Sequence, residues 1–149
     1  MSNPLKIRYA QASVILLFAI ITMLQLFSFP GQFAHMRKMG NFELIFEIWL
    51  VLLVGFWLLS AQFGLLCLWK ILAQIKSNTL FDASSILWLT RLVKTLGYAL
   101  FVGIILLLTI AVQADDPGAP VLLTAITLFI STLYISSSLL LDQVKLKSD

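Results

Sequence analysis

Glu43 and Glu47 are an acidic pair whose spacing could support chemistry. Residues four apart lie on one face of a helix, so the two carboxylates could bind a cation or take up a proton. The alternative is structural, because acids stabilise the first turns of a helix and Arg37 or Lys38 could pair with them. The sequence leaves both interpretations of this carboxylate pair open.

A group of four cations could bind an anion. Its members, called the basic group below, are Lys70, Lys76, Arg91 and Lys94. Beside an anionic membrane surface each such residue contributes about 1 kcal/mol, so the group is a candidate contact for anionic lipid or phosphate. The alternative is that these charges only set the orientation of the chain in a membrane. We expect no direct nucleic-acid binding, since no soluble domain presents them.

Hydroxyl side chains form a stripe near the C-terminus. Spacings of three, four, three and four residues place them on one face of a helix. The members of this hydroxyl stripe are Thr124, Thr127, Ser131, Tyr134 and Ser138. Such a stripe packs against another helix of the same protein, or it lines a groove or binds a helix of a partner. Gln62 lies deep in an apolar segment and needs a hydrogen-bond partner, which the stripe could supply.

The composition excludes a soluble globular protein. Of the 149 residues, 60% are hydrophobic and 11% are charged, whereas average globular domains carry roughly a quarter charged residues. So few charges cannot cover a water-exposed surface of this size. Disorder is excluded as well, because disordered chains are poor in the aliphatic and aromatic residues that are abundant here. A single cysteine excludes a disulfide framework.

Four long uncharged stretches must position the candidate residues. Each has the roughly 20 residues that a helix needs to cross a hydrocarbon core of about 30 Å. They cover residues 9–29, 48–69, 95–114 and 117–141. Only helices and closed barrels satisfy the backbone in lipid, and these stretches lack the alternation of barrel strands. The predicted fold class is therefore an all-α integral membrane bundle of four transmembrane helices.

The helix boundaries can be placed from local signals. We predict one membrane domain over residues 1–149, with helices at approximately 9–29, 42–75, 83–114 and 118–141. Pro30-Gly31 should end the first helix, since proline cannot continue it and glycine permits a turn. Asn41 and Asp82 are the candidate N-caps of the second and third helices. These two helices are longer than the membrane is thick, so we expect them to extend into a hairpin turning at residues 77–79.

The distribution of positive charge predicts the orientation. Eight of the ten Lys and Arg residues lie in the N-terminal arm, between the second and third helices, or in the C-terminal tail. Only Arg37 and Lys38 lie in a loop on the other side. Cytoplasmic segments carry the excess of cations, so both termini and the hairpin should be cytoplasmic. The expected localisation is the plasma membrane, with several passes.

The sequence shows no catalytic signature. His35 and Cys67 are expected on opposite sides of the membrane, so they form neither a nucleophile–base pair nor a shared metal site. The chain has no glycine-rich phosphate loop, zinc-protease motif or nucleophile elbow. We therefore expect a protein that is not an enzyme and that uses no cofactor and no catalytic metal.

Three short motifs carry a resemblance to a known family. They are FPGQFA at residues 29–34, CLWKIL at 67–72 and Leu80-Phe81. Together they resemble the uncharacterised bacterial membrane family known as domain of unknown function 2975, over nearly the whole chain. The turn at residues 77–79 departs from that family, whose members often have glycine or a charged residue there.

The resemblance implies four membrane helices in a bacterial inner membrane. It also implies a genetic link to a small helix-turn-helix regulator, which is encoded beside some members. It brings no active site to this chain.

Two hypotheses of function follow. The first is an accessory or regulatory subunit that associates with a membrane protein partner or with a second copy of itself, presenting the hairpin and the hydroxyl stripe. The second is a binder or transporter of lipid or of a small hydrophobic molecule, which would use the stripe, Gln62 and the basic group.

Overall fold

The computed structural model describes residues 4–40, 43–114 and 117–148. Within these ranges the chain is all-helical and has no strand. Its four long helices are α1 (Pro4–Lys38), α2 (Leu44–Lys76), α3 (Ala83–Gln113) and α4 (Gly118–Ser148). Each is long and apolar enough to cross a membrane, so the prediction of four such helices is confirmed.

Helix α1 continues past Pro30-Gly31, so the end predicted there is wrong. An α-helical part, Pro4–Met23, leads through a π-helical turn, Leu24–Ser28, into a second α-helical part, Phe29–Lys38. Proline has no backbone N–H, and in an α-helix its ring collides with the carbonyl four residues earlier. The π-helical turn ends two residues before the proline, and such local adjustments accommodate proline in membrane helices. The helix ends where Gly40 adopts a φ of +80°.

The connection between α2 and α3 is a tight turn built on Asn78. This residue has a φ of +57°, in the left-handed region that glycine usually occupies after a helix. The backbone N–H of Thr79 donates to Gln74 O at 3.0 Å, and that of Asn78 donates to Ile75 O at 3.3 Å. Both bonds satisfy carbonyls of the last turn of α2, as in a Schellman motif.

Replacing Asn78 with alanine should lower the free energy of unfolding by about 1 kcal/mol, because a Cβ without a local polar partner is disfavoured in the left-handed region. Asn78→Gly should leave stability close to that of the parent protein. The measurement is unfolding by SDS in mixed micelles. Equal stability of the alanine and glycine variants would contradict the role assigned to this residue.

The N-caps differ from the sequence-based expectation. Asp82 precedes α3 as predicted, but its side chain makes no capping hydrogen bond. The turn is instead tied to α3 by the buried Ser85, whose hydroxyl donates to Thr79 O at 2.8 Å. Helix α2 has Glu43 at its N-cap, without a side-chain capping bond, and Asn41 lies outside the described residues.

The four helices form an open row in chain order, an arrangement that the sequence left undetermined. Helix α1 contacts α2, α2 contacts α3, and α3 contacts α4. In the described ranges, Cα atoms of non-consecutive helices stay more than 8 Å apart. Closure is not required in a bilayer, since lipid tails are as apolar as the side chains they would replace. Each of the two outer helices, α1 and α4, therefore lies directly beside only one other helix.

Two apolar clusters hold the row together. The first joins α2 and α3 through Leu50, Leu53, Val54, Val102 and Leu106. The second joins α2, α3 and α4 through Ile71, Leu89, Leu141 and Val144. This second cluster explains why α4 continues beyond residue 141, where the sequence predicted its end. Leu141 and Val144 are buried against the neighbouring helices, which favours the additional helical turns.

Candidate functional site

Polar side chains join α1 to α2 within the apolar part of the row. The amide Nε2 of Gln62 donates to Thr22 Oγ1 at 2.8 Å, and that hydroxyl donates to Phe18 O at 2.8 Å. Gln25, in the π-helical turn, donates to Gly55 O at 3.2 Å. The expectation that the hydroxyl stripe supplies the partner of Gln62 is therefore wrong. Helix α3 lies between α2 and α4, and the Cα atoms of α4 stay more than 8 Å from those of α2.

Trp57 forms the central contact between α2 and α3. Its indole Nε1 donates to Ala99 O at 3.0 Å. The ring passes over Gly103, where a Cβ would lie only 3.2 Å from Nε1. Gly103 thus permits an approach that a larger residue would block, as small residues do at contacts between membrane helices.

Part of the hydroxyl stripe faces α3. A Cβ on Gly103 would lie 3.7 Å from Thr127 Oγ1, and a Cβ on Gly97 would lie 3.3 Å from Tyr134 Cε2. The hydroxyl of Thr127 donates to Leu123 O of its own helix at 2.7 Å. These contacts favour the interpretation of the stripe as an internal packing surface.

The other members of the stripe lie beside this contact. Ser131 and Ser138 are half-buried, whereas Thr124 is exposed. The hydroxyl of Thr124 also bonds within its own helix, to Pro120 O at 2.8 Å. The structure thus places the whole stripe on the side of α4 that faces α3 or borders that contact.

Sequence reasoning missed the opposite face of α4. Ala125, Thr132 and Ser136 are all exposed and share one face through spacings of seven and four. Residues two apart on a helix differ by about 200° around its axis, so Ala125 points away from Thr127. We call these three residues the outward face of α4. The spacing of these three residues could be read from the sequence, but the hydroxyl stripe has more members at regular spacing and was therefore the only polar face predicted on this helix.

The carboxylate pair is split between two environments. Glu47 forms an ion pair with Arg37 of α1, and its side chain is only 13% exposed. Glu43 is exposed at the start of α2. The ion pair favours the structural interpretation of this pair over a cation or proton site.

The basic group contains a pair of cations on one aromatic ring. Lys70 Nζ lies 5.8 Å, and Arg91 Cζ 4.6 Å, from the centroid of the Trp88 ring. Such cation–π contacts fix the position of a charge without neutralising it. Lys94 follows Arg91 by one helical turn, and Lys76 is the exposed last residue of α2. Across the described part of the chain, no member of the basic group pairs with a carboxylate.

A groove of about 450 Å³ opens sideways between α2 and α3. We call it the α2–α3 groove. Its wall on α2 is mainly apolar, with Phe56, Leu59 and Phe63 beside the hydroxyl residue Ser60. Its wall on α3 contains Lys94, Thr95 and Tyr98. The groove therefore combines an apolar surface with one cation of the basic group.

Four helices that are long and apolar enough to cross a membrane make this a multi-pass membrane protein. The comparison with protein families identifies its family. The family model described as 'Protein of unknown function (DUF2975)' matches residues 6–145, which is nearly the whole chain. The chain therefore belongs to the DUF2975 family, and the resemblance inferred from its motifs is confirmed. Searches of curated proteins and of solved structures found no match.

Proposed function

We propose that this protein is a small accessory or regulatory subunit of a bacterial inner membrane, which acts by association and not by catalysis. Its partner is another membrane protein or a second copy of the chain. The observation that carries the proposal is the open row of helices, in which α3 is the only helix of the described residues that lies directly beside α4. Cations are more frequent at the two termini and near the α2–α3 turn than in the other loops, which supports a cytoplasmic position for the termini and for this turn.

The outward face of α4 is the surface that supports association best. Its small side chains, Ala125, Thr132 and Ser136, allow the backbone of another helix to approach closely. The Thr132 hydroxyl donates to Leu128 O at 3.0 Å, so it can meet an apolar partner without an unsatisfied donor. Close packing of backbones then contributes more to the contact than new hydrogen bonds do.

Photo-crosslinking in native membranes tests this assignment. A photoreactive residue at Ser136 should form a protein adduct, whereas one at the exposed Ile20 of α1 should react with lipid. Ala125→Leu with Thr132→Leu should reduce the Ser136 adduct about tenfold or more, which corresponds to about 1.4 kcal/mol of association energy.

A matched change on α1 provides the control. Ala12→Leu with Ser13→Leu also replaces one exposed alanine and one exposed hydroxyl residue that bonds to the carbonyl four residues earlier. This variant should leave the Ser136 adduct unchanged. Lipid adducts alone at both Ser136 and Ile20 would refute association through α4.

Binding of a lipid or of a small hydrophobic molecule is the second candidate function. The α2–α3 groove and the basic group beside it favour this alternative. Transport has less support than binding. The amides of Gln25 and Gln62, which a polar path across the membrane would use, already donate to contacts between α1 and α2.

A further inference from the structure

We propose that the α2–α3 groove binds one anionic phospholipid. One of its acyl chains lies along the apolar wall of the groove, and its phosphate is held by Lys70, Arg91 and Lys94. The groove is formed by α2 and α3 alone. The proposal does not depend on association through α4; it rests on the second candidate function and names its ligand.

The apolar wall and the cations belong to one continuous surface. On α2, Phe56, Phe63 and Lys70 are spaced by seven residues, which places them on the same side of the helix. On α3, Arg91 and Lys94 are three residues apart and share a face. Both phenylalanines are about half exposed, at 52% and 46%, so the wall is open to the bilayer.

The end of the groove nearest the α2–α3 turn holds concentrated positive charge. Lys70 and Arg91 both rest on the Trp88 ring, and Lys94 lies one turn further into the span. Like charges placed so close together repel one another. Since no carboxylate in the described residues pairs with them, an anion is the complementary occupant.

The position of Lys94 within the apolar layer of the membrane favours a lipid over a free anion as the bound group. Its neighbour Thr95 is level with Gly64, where a Cβ would lie 3.8 Å from Thr95 Cγ2. Gly64 is six residues from Lys70, which is about 9 Å along α2. The Lys94 backbone therefore lies within the apolar layer, and its side chain must extend to reach the phosphate level. A charge at that depth needs a partner, and a phospholipid can supply it there.

Reconstitution of the full chain provides the test. The protein is placed in vesicles of equal parts phosphatidylglycerol and phosphatidylcholine, and native mass spectrometry measures the lipid that each chain retains. We expect one retained phosphatidylglycerol per chain. Each neutralised cation should lower the affinity about fivefold, equivalent to about 1 kcal/mol, so Arg91→Gln with Lys94→Gln should lower it about 25-fold.

Two further variants separate a site from general surface attraction and from misfolding. Lys6→Gln with Arg8→Gln removes the same charge from exposed positions on α1, outside the groove and the basic group, and it should leave retention unchanged. Arg91→Lys with Lys94→Arg keeps the charge and should also retain the lipid. An equal loss in the control pair, or a loss in the charge-conserving variant, would overturn the proposal.

The apolar wall is tested with the charges intact. Phe56→Ala with Phe63→Ala should lower retention of phosphatidylglycerol, while millimolar inorganic phosphate should not displace the lipid from the parent protein. Full retention by the phenylalanine variant, or displacement by phosphate, would overturn the role of the acyl chain. The Ser136 adduct should be the same in all these variants, so failure of this site is distinguishable from failure of the association proposal.

Discussion

Replacement of Trp57 by alanine should lower the free energy of unfolding by about 3–5 kcal/mol, the range for removing a large aromatic side chain from a packed contact. The indole packs against the first apolar cluster and donates to Ala99 O at 3.0 Å. Its removal would leave a cavity between α2 and α3, beside Gly103. Unfolding by SDS in mixed micelles measures the loss.

Trp49 is the matched control for this prediction. It lies on the same helix but is 48% exposed, so Trp49→Ala should cause a much smaller loss of stability. Trp57→Phe keeps most of the ring and removes the indole donor, and should lower stability by about 0.6 kcal/mol, the average for hydrogen bonds between membrane helices. Similar losses in Trp57→Ala and Trp49→Ala would mean that Trp57 does not hold the α2–α3 contact.

Leu106→Ala should have the second large effect, with a loss of about 2–5 kcal/mol. This side chain is 1% exposed and packs with Leu50, Leu53, Val54 and Val102 in the cluster that joins α2 to α3. Truncation creates a cavity that the surrounding helices can fill only in part, so contacts are lost on all sides of it.

Leu108 supplies the comparison for Leu106. It lies two residues further along α3 and is 61% exposed, so lipid or detergent replaces the lost contacts after Leu108→Ala. We expect its free energy of unfolding to stay within about 0.5 kcal/mol of the parent value, as for surface substitutions in general. A loss at Leu108 as large as that at Leu106 would contradict the open-row packing.

The four apolar helices could be predicted because a membrane span has a strong signal in length and composition. The end of α1 could not be predicted from Pro30. The rule that proline ends a helix considers only the α-helical hydrogen-bond pattern, whereas one π-helical turn at Leu24–Ser28 accommodates the ring. Gly40 was the better signal, since glycine commonly follows the last turn of a helix.

The hydrogen-bond partners of the polar residues could not be predicted without knowing how the helices are arranged. The sequence indicated that Gln62 needs a hydrogen-bond partner, but it could not choose between Thr22 and the hydroxyl stripe. That choice depends on which helices are neighbours, and the apolar runs do not encode it. The same limit applied to α4, where the spacing defined two polar faces and only the position of α3 shows which one points outward.

The sequence predicted the cations of the α2–α3 groove but not its apolar wall. Lys70 and Lys94 could be named from their charge and their position at the ends of apolar stretches. The apolar wall could not be assigned to them, because that requires the register between α2 and α3. In that register Gly64 lies level with Thr95, and neither residue has a type that specifies the pairing.

The central claim is that the protein acts by association through α4. Detergent-free extraction of native membranes into nanodiscs, followed by mass spectrometry of the retained proteins and lipids, tests it most directly. We expect a stoichiometric second protein or a second copy of the chain, which is lost in Ala125→Leu with Thr132→Leu and kept in Ala12→Leu with Ser13→Leu. A single chain that retains lipid and no protein would contradict the claim.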